Sequence, residues 1–352
     1  MYDNITVIIP SYKPDEKFIS TVKKIKDRGF SDIITVDDGG GEKYEKYFIE
    51  AEELGCTVLR HEVNRGKGAA LKTAFRYYSE FRPDSAGVVT ADADGQHLPD
   101  DIAAVAEKMT ETGAIVIGSR DFDDPKVPKR SRLGNKITSA VFRLFFGMKI
   151  GDTQTGLRGI PTKYIDDITG VDGDRYEYET HMLYKICRDE MPFVEHGIET
   201  VYIDDNSSSH FRAVRDSARV YSMLLKYLLT SLGCTAADIA LFCVLFTVFS
   251  TMLIHPALSA VLASLAGRIV PVAVHYIISR SIFSHWTRNT LGRYALTALG
   301  NIAVLSLVSA AAALLTDSLA VIAVLRTLAG LIMFPFTFRA LHNKVFVPLH
   351  RT

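Results

Sequence analysis

The chain has 352 residues, with 40 lysines and arginines against 40 aspartates and glutamates, so its formal net charge is zero at pH 7. This balance argues against a nucleic-acid-binding protein, because binding to phosphates requires a basic excess. The length suggests two domains. The charges divide the chain at about residue 230: residues 1–229 carry a net charge of −6, and residues 230–352 carry +6 with 10 charged side chains, too few for a soluble surface.

Cysteine usage and the N-terminus indicate the compartment. The four cysteines are Cys56, Cys187, Cys234 and Cys243, and no two of them form a CxxC pair. This spacing excludes a usual zinc knuckle and argues against a disulfide framework. The N-terminus, MYDNITVIIPSYKPDE, has no basic start followed by a long apolar core. We therefore expect no secretory signal and a first domain in the cytosol.

The first part of the chain alternates between strand and helix patterns. Short apolar, β-branched runs predict strands at residues 4–10, 32–41, 56–60, 86–95 and 114–120. Helical spacing and helix-start signals predict helices at residues 15–28, 42–54, 66–78 and 99–109. Alternation of this kind indicates an α/β fold whose mostly parallel sheet is covered on both faces.

Polar side chains follow four of the predicted strands, at the point where each strand ends. They are Tyr12, Asp37 with Asp38, residues 92–96, and Arg120. The carboxyl ends of parallel strands lie at one edge of the sheet, and this edge is where ligands bind. Polar turns alone would explain one or two of these groups but explain all of them poorly. The pattern therefore predicts a ligand site at this edge.

The motif TADADGQH at residues 90–97 gives the strongest chemical signal. Asp92 and Asp94 lie one residue apart on a glycine turn after a predicted buried strand. Two carboxylates at this spacing repel each other unless a cation lies between them, and Mg²⁺ or Mn²⁺ prefers such oxygens. Gln96 can add a neutral oxygen ligand. The motif predicts a divalent metal site, and an acidic turn that binds nothing is the alternative.

Two further motifs suit a nucleotide. VDDGGG at residues 36–41 places Asp37 and Asp38 at a strand end, where carboxylates can accept hydrogen bonds from a base or a ribose. NRGKGAALKTA at residues 64–74 places Lys67 among glycines at a helix start, a setting suited to a phosphate. This stretch lacks the Walker pattern, so it does not predict a P-loop.

The second part of the chain has the pattern of a membrane domain. Apolar stretches with at most one charge each predict transmembrane helices at about residues 236–254, 257–278, 292–316 and 318–338. Basic residues precede the first span, separate the second from the third and follow the fourth, so the positive-inside rule places both termini in the cytosol. Arg268 and Arg326 lie within spans, where an arginine costs at least about 2.5 kcal/mol, so each requires a helix partner or a wet cavity. A helical core of a soluble protein is the alternative.

Together the motifs resemble a known family. VIIPSYKPDE, ITVDDGG, NRGKGAALK, TADADGQH, IGSRDF and GDTQTGLRGI, in this order, resemble glycosyltransferase family 2. RYEYETHML and SSSHFRAVRDSARVY resemble its polyprenyl-phosphate branch, of the dolichol-phosphate-mannose synthase type. Residues 235–347 resemble the GtrA-like four-helix membrane domain. The resemblance implies a GT-A transferase domain at residues 1–212, an amphipathic juxtamembrane helix at 213–233 and a GtrA-like domain at 234–352.

The resemblance also implies roles for individual residues. The donor nucleotide sugar would be held by Pro10, Tyr12, Asp37, Asp38, Lys67, Asp92, Ala93 and Arg212. Mg²⁺ or Mn²⁺ would be held on the donor diphosphate by Asp92, Asp94 and Gln96. The acceptor phosphate would be clamped by Arg120, Arg130 and Arg132. The catalytic residues would be Asp94, Arg120 and Asp152, the last of which stands where relatives place a candidate base.

The chain departs from the family pattern at two places. KPDE at residues 13–16 stands where many relatives have Asn-Glu directly after the tyrosine, so Asp15 or Glu16 is expected to replace that acid. GGG stands at residues 39–41 in place of Gly-Ser. The first departure concerns the contacts to the nucleotide base.

The implied reaction is an inverting sugar transfer from a nucleoside diphosphate sugar to a polyprenyl phosphate at the cytosolic membrane face. The metal and the arginines would stabilise the charge that grows on the leaving diphosphate. The acceptor phosphate is already ionised near neutral pH, so it has less need of a strong base than a hydroxyl has. UDP-glucose, UDP-N-acetylglucosamine and GDP-mannose are open as donors, and a homo-oligomer is open as well.

Two alternatives to this reaction are open. One is a flippase or scaffold for lipid-linked sugars whose transferase domain is inactive, although the intact Asp92 and Asp94, with Gln96 and the arginine cluster, argue against it. The other is transfer to a growing polysaccharide, which usually requires a QxxRW-type motif, and the sequence contains no such motif.

Overall fold

A computed structural model of the chain describes residues 2–124, 127–199, 222–252, 255–283 and 289–346, without the side chains of residues 130, 222–224, 283 and 343. The chain divides into two compact units. The first comprises Met1–Arg143 and Met148–Val220, and the second comprises Leu144–Gly147 and Tyr221–Thr352.

The first unit is built on one seven-stranded sheet. Its strands are β1 (Ile5–Ser11), β2 (Asp32–Asp37), β3 (Thr57–Arg60), β4 (Gly87–Thr90), β5 (Ile115–Arg120), β6 (Arg158–Pro161) and β7 (Phe193–Ile198). Its helices are α1 (Glu16–Asp27), α2 (Glu42–Glu53), α3 (Lys67–Phe81), α4 (Pro99–Thr112), α5 (Lys129–Val141), α6 (Thr162–Thr169) and α7 (Glu177–Arg188). A short π-helical segment, Phe142–Phe146, follows α5 in the chain.

The sheet is mixed but mostly parallel, with the strand order β3-β2-β1-β4-β6-β5-β7. β1 pairs in parallel with β2 and β4, β2 with β3, and β5 with β7. Among the described strands, β6 alone runs antiparallel, between β4 and β5. Its register pairs Arg158 with Thr90, so the residues just before β6 reach the edge where the parallel strands end. The predicted α/β fold class is confirmed, and the inserted antiparallel strand is an addition to it.

The apolar pattern of the central strand explains where the core lies. Val7 and Ile9 of β1 are fully buried and pack in one cluster with Val22 of α1 and Val105 of α4. Ile8, between them, is equally buried. A strand that is apolar on both faces is typical of a parallel sheet covered by helices. Asp37 and Arg120 end their strands, at the edge where the predicted ligand site lies.

The second unit contains four long apolar helices within the described residues. They are α8 (Ser222–Met252), α9 (Pro256–Phe283), α10 (Thr290–Leu315) and α11 (Leu319–Ala340). Each is long and apolar enough to cross a membrane, which confirms the second part of the predicted fold class. α8 begins within the segment predicted as a juxtamembrane helix, of which residues 213–221 lie outside the described residues.

One carboxylate joins the two arginines inside this unit. Asp238 of α8 accepts from Nε of Arg268 of α9 at 3.1 Å. Nε and Nη2 of Arg326 of α11 donate to the same carboxylate at 3.0–3.2 Å. Nη1 of Arg326 donates to Ser264 of α9 and Ser309 of α10, at 2.7 and 3.0 Å. The expectation that each arginine requires a partner is confirmed, and the partner is an aspartate that the sequence pattern did not mark.

Replacing Asp238 with asparagine should destabilise the second unit. The substitution leaves two guanidinium charges without a counter-charge, and removing one partner of a buried ion pair costs about 3–5 kcal/mol. We expect the midpoint of thermal unfolding of the full chain in detergent micelles to fall. Asp317→Asn is the matched control, because Asp317 is exposed in the connection before α11. Equal midpoints for the two variants would show that the network contributes no stability.

Candidate active site

The edge where the parallel strands end carries most of the predicted site residues. β1, β2, β4 and β5 end at Ser11, Asp37, Thr90 and Arg120. The hydroxyl of Thr90 donates to the carbonyl of Gly156 at 2.7 Å, which ties the DTQTG segment before β6 to the end of β4. The fold therefore brings the TADADGQH and DTQTG motifs to one place, although they are distant in sequence.

Asp92 lies against a glycine and a lysine. A β-carbon at Gly156 would come within 2.8 Å of both Asp92 carboxylate oxygens, so a larger residue there would displace this carboxylate. Nζ of Lys67 lies 2.7 Å from Oδ1 of Asp92 and 2.9 Å from Oε1 of Glu179. Lys67 begins α3 after Gly66, whose φ of 105° favours glycine. The NRGKG motif thus delivers an ammonium group to the first aspartate of TADADGQH.

Burial and charge act in opposite directions on the pKa values of this group. Burial alone would raise the pKa of Asp92, but the ammonium of Lys67 and the ring of His97 hold that pKa well below its usual range. The pKa of Asp94 is raised, because the side chain is half-buried and faces the negative charge of Asp92. Burial lowers the pKa of His97, whose Nδ1 accepts from the backbone N–H of Asp92 at 3.0 Å. The first aspartate is thus firmly anionic, and it opposes ionisation of the second.

A divalent cation fits the chemistry of these two aspartates. Its charge would relieve the repulsion between Asp92 and Asp94, and Mg²⁺ and Mn²⁺ prefer carboxylate oxygens. In the described part of the chain, no three His, Cys, Asp or Glu side chains are grouped so as to hold a metal ion. The protein would therefore supply two carboxylates, and the amide of Gln96, water or substrate phosphates would complete the shell, as is usual for Mg²⁺. The backbone N–H of Gln96 donates to Asp94 at 3.0 Å and closes the turn.

The adjacent aspartates after β2 have different surroundings. Asp38, 3% exposed, accepts from the side chain of Asn64 and from the backbone N–H groups of the next two residues at 2.8–2.9 Å. Its other close partner is the ring of His61, at 2.8 Å. Asp37 is partly exposed and accepts from the backbone N–H of Gly40 at 2.9 Å. Asp38 therefore holds the NRGKG loop in place, and Asp37 is the more accessible of the two for a ligand.

Asp152 is fully buried and is engaged by Arg120. Nε of Arg120 donates to its Oδ2 at 2.6 Å, and Nη2 donates to its Oδ1 at 3.1 Å. The backbone N–H of Gln154 also donates to Oδ1, at 2.9 Å. A side chain that is 0% exposed and so engaged can orient Arg120, but it is poorly placed to accept a proton from a ligand. Its role as a base stays a prediction, and its contacts favour a positioning role.

Of the arginines predicted to clamp the acceptor phosphate, Arg120 ends β5, and Arg130 and Arg132 belong to α5. Nη2 of Arg132 donates to the carbonyl of Asp124 at 2.7 Å. Nε of Arg132 is buried and has no hydrogen-bond partner within the described residues. The side chain of Arg130 and the whole of Arg212 lie outside the described part of the structure. Arg132 therefore retains an N–H group that could bind an anion.

The predicted base-binding residues lie at the end of β1. Pro10 and Tyr12 are both partly exposed there, and Ala93, between the two aspartates of TADADGQH, is partly exposed as well. Asp15, expected to replace the acid of the relatives, accepts from the backbone N–H of Lys17 at 2.9 Å. This carboxylate therefore caps α1.

Two side chains support the site although the sequence pattern did not mark them. Glu179 of α7 shares the ammonium group of Lys67. Asn135 of α5 accepts from the backbone N–H and the hydroxyl of Thr153 at 3.0 Å and donates to the carbonyl of Gly151 at 2.5 Å. Asn135 thereby fixes the DTQTG segment. The signal for Glu179 was its place in RYEYETHML, and no local pattern marks Asn135.

Removing the positive charge of Lys67 should destabilise the first unit in a pH-dependent way. In Lys67→Met, Asp92 stays half-buried and loses its partner, so the free energy of unfolding should fall by about 1–3 kcal/mol near pH 7. The lowered pKa of Asp92 contributes stability above the unfolded value of about 3.9, and this contribution is lost as the pH falls toward the folded value. The difference between variant and wild type should therefore shrink below about pH 4.

The measurement is urea unfolding of the full chain in detergent, followed by hydrogen exchange in peptides of the first unit. Lys23→Met is the matched control, because Lys23 pairs with Glu50 on the exposed surface, where a pair contributes at most about 1 kcal/mol. A loss in Lys67→Met that is no greater than in the control, or that does not change with pH, would contradict the role given to Lys67.

Comparison with known proteins gives a family and several relatives. The model of the family described as "Glycosyl transferase family 2" matches residues 6–169. The UDP-N-acetylglucosamine–dolichyl-phosphate N-acetylglucosaminyltransferase of Methanococcus voltae is 30% identical over 220 residues, which cover 57% of this chain and 86% of that protein. The polyprenol monophosphomannose synthase of Mycolicibacterium smegmatis is 24% identical over 201 residues, which cover 54% of this chain and 74% of that protein.

Among solved structures, the glucosyl-3-phosphoglycerate synthase of Mycobacterium tuberculosis, in complex with Mn²⁺, UDP and phosphoglyceric acid, is 14% identical with a TM-score of 0.48. The likeness covers 64% of this chain and 77% of that chain. The family match ends before the four apolar helices, so the GtrA-like resemblance of residues 235–347 stays a prediction. The family model spans the NRGKG, TADADGQH and DTQTG motifs, and the M. voltae relative is covered over 86% of its length at 30% identity. The chain belongs to glycosyltransferase family 2.

Proposed function

We propose that the first unit transfers a sugar from a nucleoside diphosphate sugar to a polyprenyl phosphate, with inversion at the anomeric carbon. The observation that carries this proposal is the pair of aspartates, Asp92 and Asp94, at the end of β4, with the ammonium of Lys67 2.7 Å from the first. Such a group suits a diphosphate and its metal ion. The names of the M. voltae and M. smegmatis relatives support a nucleotide-sugar donor and a polyprenyl phosphate acceptor.

The donor diphosphate would lie between the aspartates and the start of α3. Asp92, Asp94 and Gln96 would hold Mg²⁺ or Mn²⁺ there, and the ion would offset the negative charge that grows on the leaving group. Lys67 stands at the first position of α3, where backbone N–H groups also favour an anion. The accessible carboxylate of Asp37 is available to the ribose or the base.

The acceptor phosphate would be held by arginines. Asp152 accepts two hydrogen bonds from Arg120 and so fixes the orientation of its guanidinium. A guanidinium is planar and suits pairs of phosphate oxygens. Arg132 adds a buried Nε with no partner in the described residues. Because a phosphate acceptor is already ionised near neutral pH, its attack depends on orientation more than on a base. This fits the burial of Asp152, and an attack opposite the leaving group gives inversion.

The four apolar helices would keep the transferase unit at a membrane. The distribution of basic residues supports a cytosolic position for this unit and for both termini. The isoprenoid tail of the acceptor would then stay in the bilayer, and its phosphate would be the part that enters the site. This arrangement explains why an enzyme with a lipid acceptor carries helices of membrane-spanning length.

Replacing Asp94 with alanine should lower sugar transfer by at least about a hundredfold, because lost transition-state charge stabilisation has effects of this size. The full-length protein is incubated with UDP-N-acetylglucosamine, UDP-glucose or GDP-mannose, undecaprenyl phosphate and Mn²⁺ or Mg²⁺, and the lipid product is measured. A chelator should abolish wild-type transfer, and added Mn²⁺ or Mg²⁺ should restore it. Asp84→Ala is the matched control, since Asp84 is exposed before β4, and it should keep wild-type rates.

Each outcome of this assay separates one hypothesis. Wild-type rates in Asp94→Ala, or transfer that persists in chelator, would contradict the metal site. A product with many sugars would favour polysaccharide synthesis. Absence of transfer from every donor, with undecaprenyl phosphate still bound, would favour the flippase or scaffold. The anomeric configuration of the product, read by NMR, tests inversion.

Replacing Arg132 with glutamine should raise the KM for undecaprenyl phosphate by about tenfold, the size expected for one hydrogen bond to a charged group. The KM for the nucleotide sugar should not change, because the donor would be held by other residues. Lys136→Gln is the matched control on the same helix, since Lys136 pairs with Asp123 at the surface. A rise in the donor KM alone would contradict the acceptor role of Arg132.

A further inference from the structure

We propose that the four-helix unit contains a separate binding site for the phosphate group of a lipid, in a cavity whose lining includes Arg268. This site lies in a different unit from the transferase residues. It goes beyond the proposed function, because it does not require that any sugar is transferred. The cavity, its charge and the hydrogen bonds of its arginine each support it.

The cavity is lined by all four apolar helices. Its volume is about 120 Å³, several times the space that one buried water requires. On α8 the lining residues run from Tyr227 to Asp238, about 16 Å along the helix axis, and on α10 from Tyr294 to Leu305. Because Tyr227 and Tyr294 lie near the starts of their helices, the cavity occupies the half of the unit that contains these two starts.

Most polar groups of the lining are already satisfied by one another. Nε2 of His275 lies 3.2 Å from the hydroxyl of Ser231, and its Nδ1 lies 3.0 Å from the hydroxyl of Tyr294. Asn301 exchanges hydrogen bonds with a threonine of α11 at 3.1 and 3.2 Å. These contacts make a polar lining in which Arg268 is the cation that can bind a ligand.

The charges inside the unit do not balance. Arg268 and Arg326 share the single carboxylate of Asp238, so the network has one positive charge in excess. Arg326 uses Nε and both terminal nitrogens in hydrogen bonds. Arg268 donates from Nε, and its two terminal nitrogens have no hydrogen-bond partner among the described residues. Since a charge among apolar helices is costly, this guanidinium requires water or an anion.

A phosphate group matches this guanidinium. The terminal nitrogens of an arginine present N–H groups that bind phosphate oxygens in pairs, and one negative charge would cancel the excess. The lining also includes Leu305, Met333 and Phe334, which suit an apolar chain attached to the phosphate. Inorganic phosphate shares the same headgroup chemistry, and the apolar side chains favour the lipid.

The test compares wild-type protein with Arg268→Gln, both full-length in detergent micelles, by native mass spectrometry with undecaprenyl phosphate. Undecaprenol, which lacks the phosphate, measures binding of the chain alone. We expect Arg268→Gln to weaken the binding of one undecaprenyl phosphate per protein by about tenfold to a hundredfold, with undecaprenol binding unchanged. Both proteins are measured again with Arg132→Gln, because the transferase unit is itself proposed to bind this lipid. A loss on Arg268→Gln that persists in that background belongs to the second unit, whether or not the transferase proposal holds.

Two further variants keep the proposal falsifiable. Arg293→Gln removes the same charge from α10 at a residue outside the cavity lining, and it should bind as wild type does. Arg268→Lys keeps a positive charge beside Asp238 in case Arg268→Gln does not fold, and it should weaken binding several-fold because an ammonium lacks the paired N–H geometry.

The outcomes either support or overturn the site. Binding by Arg268→Gln and Arg268→Lys equal to that of Arg293→Gln would overturn it, as would equal wild-type affinities for undecaprenol and undecaprenyl phosphate. Inorganic phosphate that displaces the lipid from wild type, with no such competition in Arg268→Gln, would support the site and identify free phosphate as a ligand.

Discussion

The ammonium group of Lys67 is the charge on which the arrangement of the transferase edge depends. It lies within 2.9 Å of two carboxylates, those of Asp92 and Glu179, which come from separate elements of the first unit. Burial by itself favours the neutral form of a carboxyl group, so an anionic Asp92 requires this partner. Asp94 then faces a fixed negative charge. The negative charge left on the two aspartates is the physical reason that this edge suits a divalent cation.

The second unit has the opposite arrangement of charges. There one carboxylate, Asp238, lies between two guanidinium groups, those of Arg268 and Arg326. The excess charge is negative at the sheet edge and positive inside the four helices. The negative excess at the sheet edge suits a metal ion, and the positive excess inside the four helices suits an anion. The two units are therefore expected to bind ligands of opposite charge. In both units the shared partner holds together helices that are distant in sequence.

Sequence patterns predicted the structural features that depend on residues close together in the chain. Apolar β-branched runs marked β1 to β5, and the rule that parallel strands end at one edge placed Asp37, Asp92 and Arg120 together. The four apolar helices followed from length and charge alone. Each of these features depends on the residues within one segment, or on a rule that holds for every parallel sheet.

Features that depend on pairs distant in sequence were not predicted. β6 is a short strand, RGIP, without an alternating pattern, and its place between β4 and β5 is a matter of pairing. Glu179 and Asp238 gain their roles from a lysine and two arginines elsewhere in the chain. Asp38 and Asp152 were predicted to act on ligands, and this stays a prediction; the structure adds that the first holds the NRGKG loop and that the second is buried against Arg120. The type of residue indicates which chemistry is available, but the hydrogen-bond partners of a side chain depend on residues distant in sequence.

The contact between Lys67 and Glu179 also bears on where the first unit ends along the chain. The match to the family stops at residue 169, before α7, although the counter-charge for the lysine is carried by that helix. A fragment that ends where the family match ends would therefore keep the motifs of the sheet edge. It would lack Glu179, the carboxylate that pairs with Lys67. The first unit therefore extends beyond the residues that match the family, because α7 supplies this counter-charge and β7 completes the sheet.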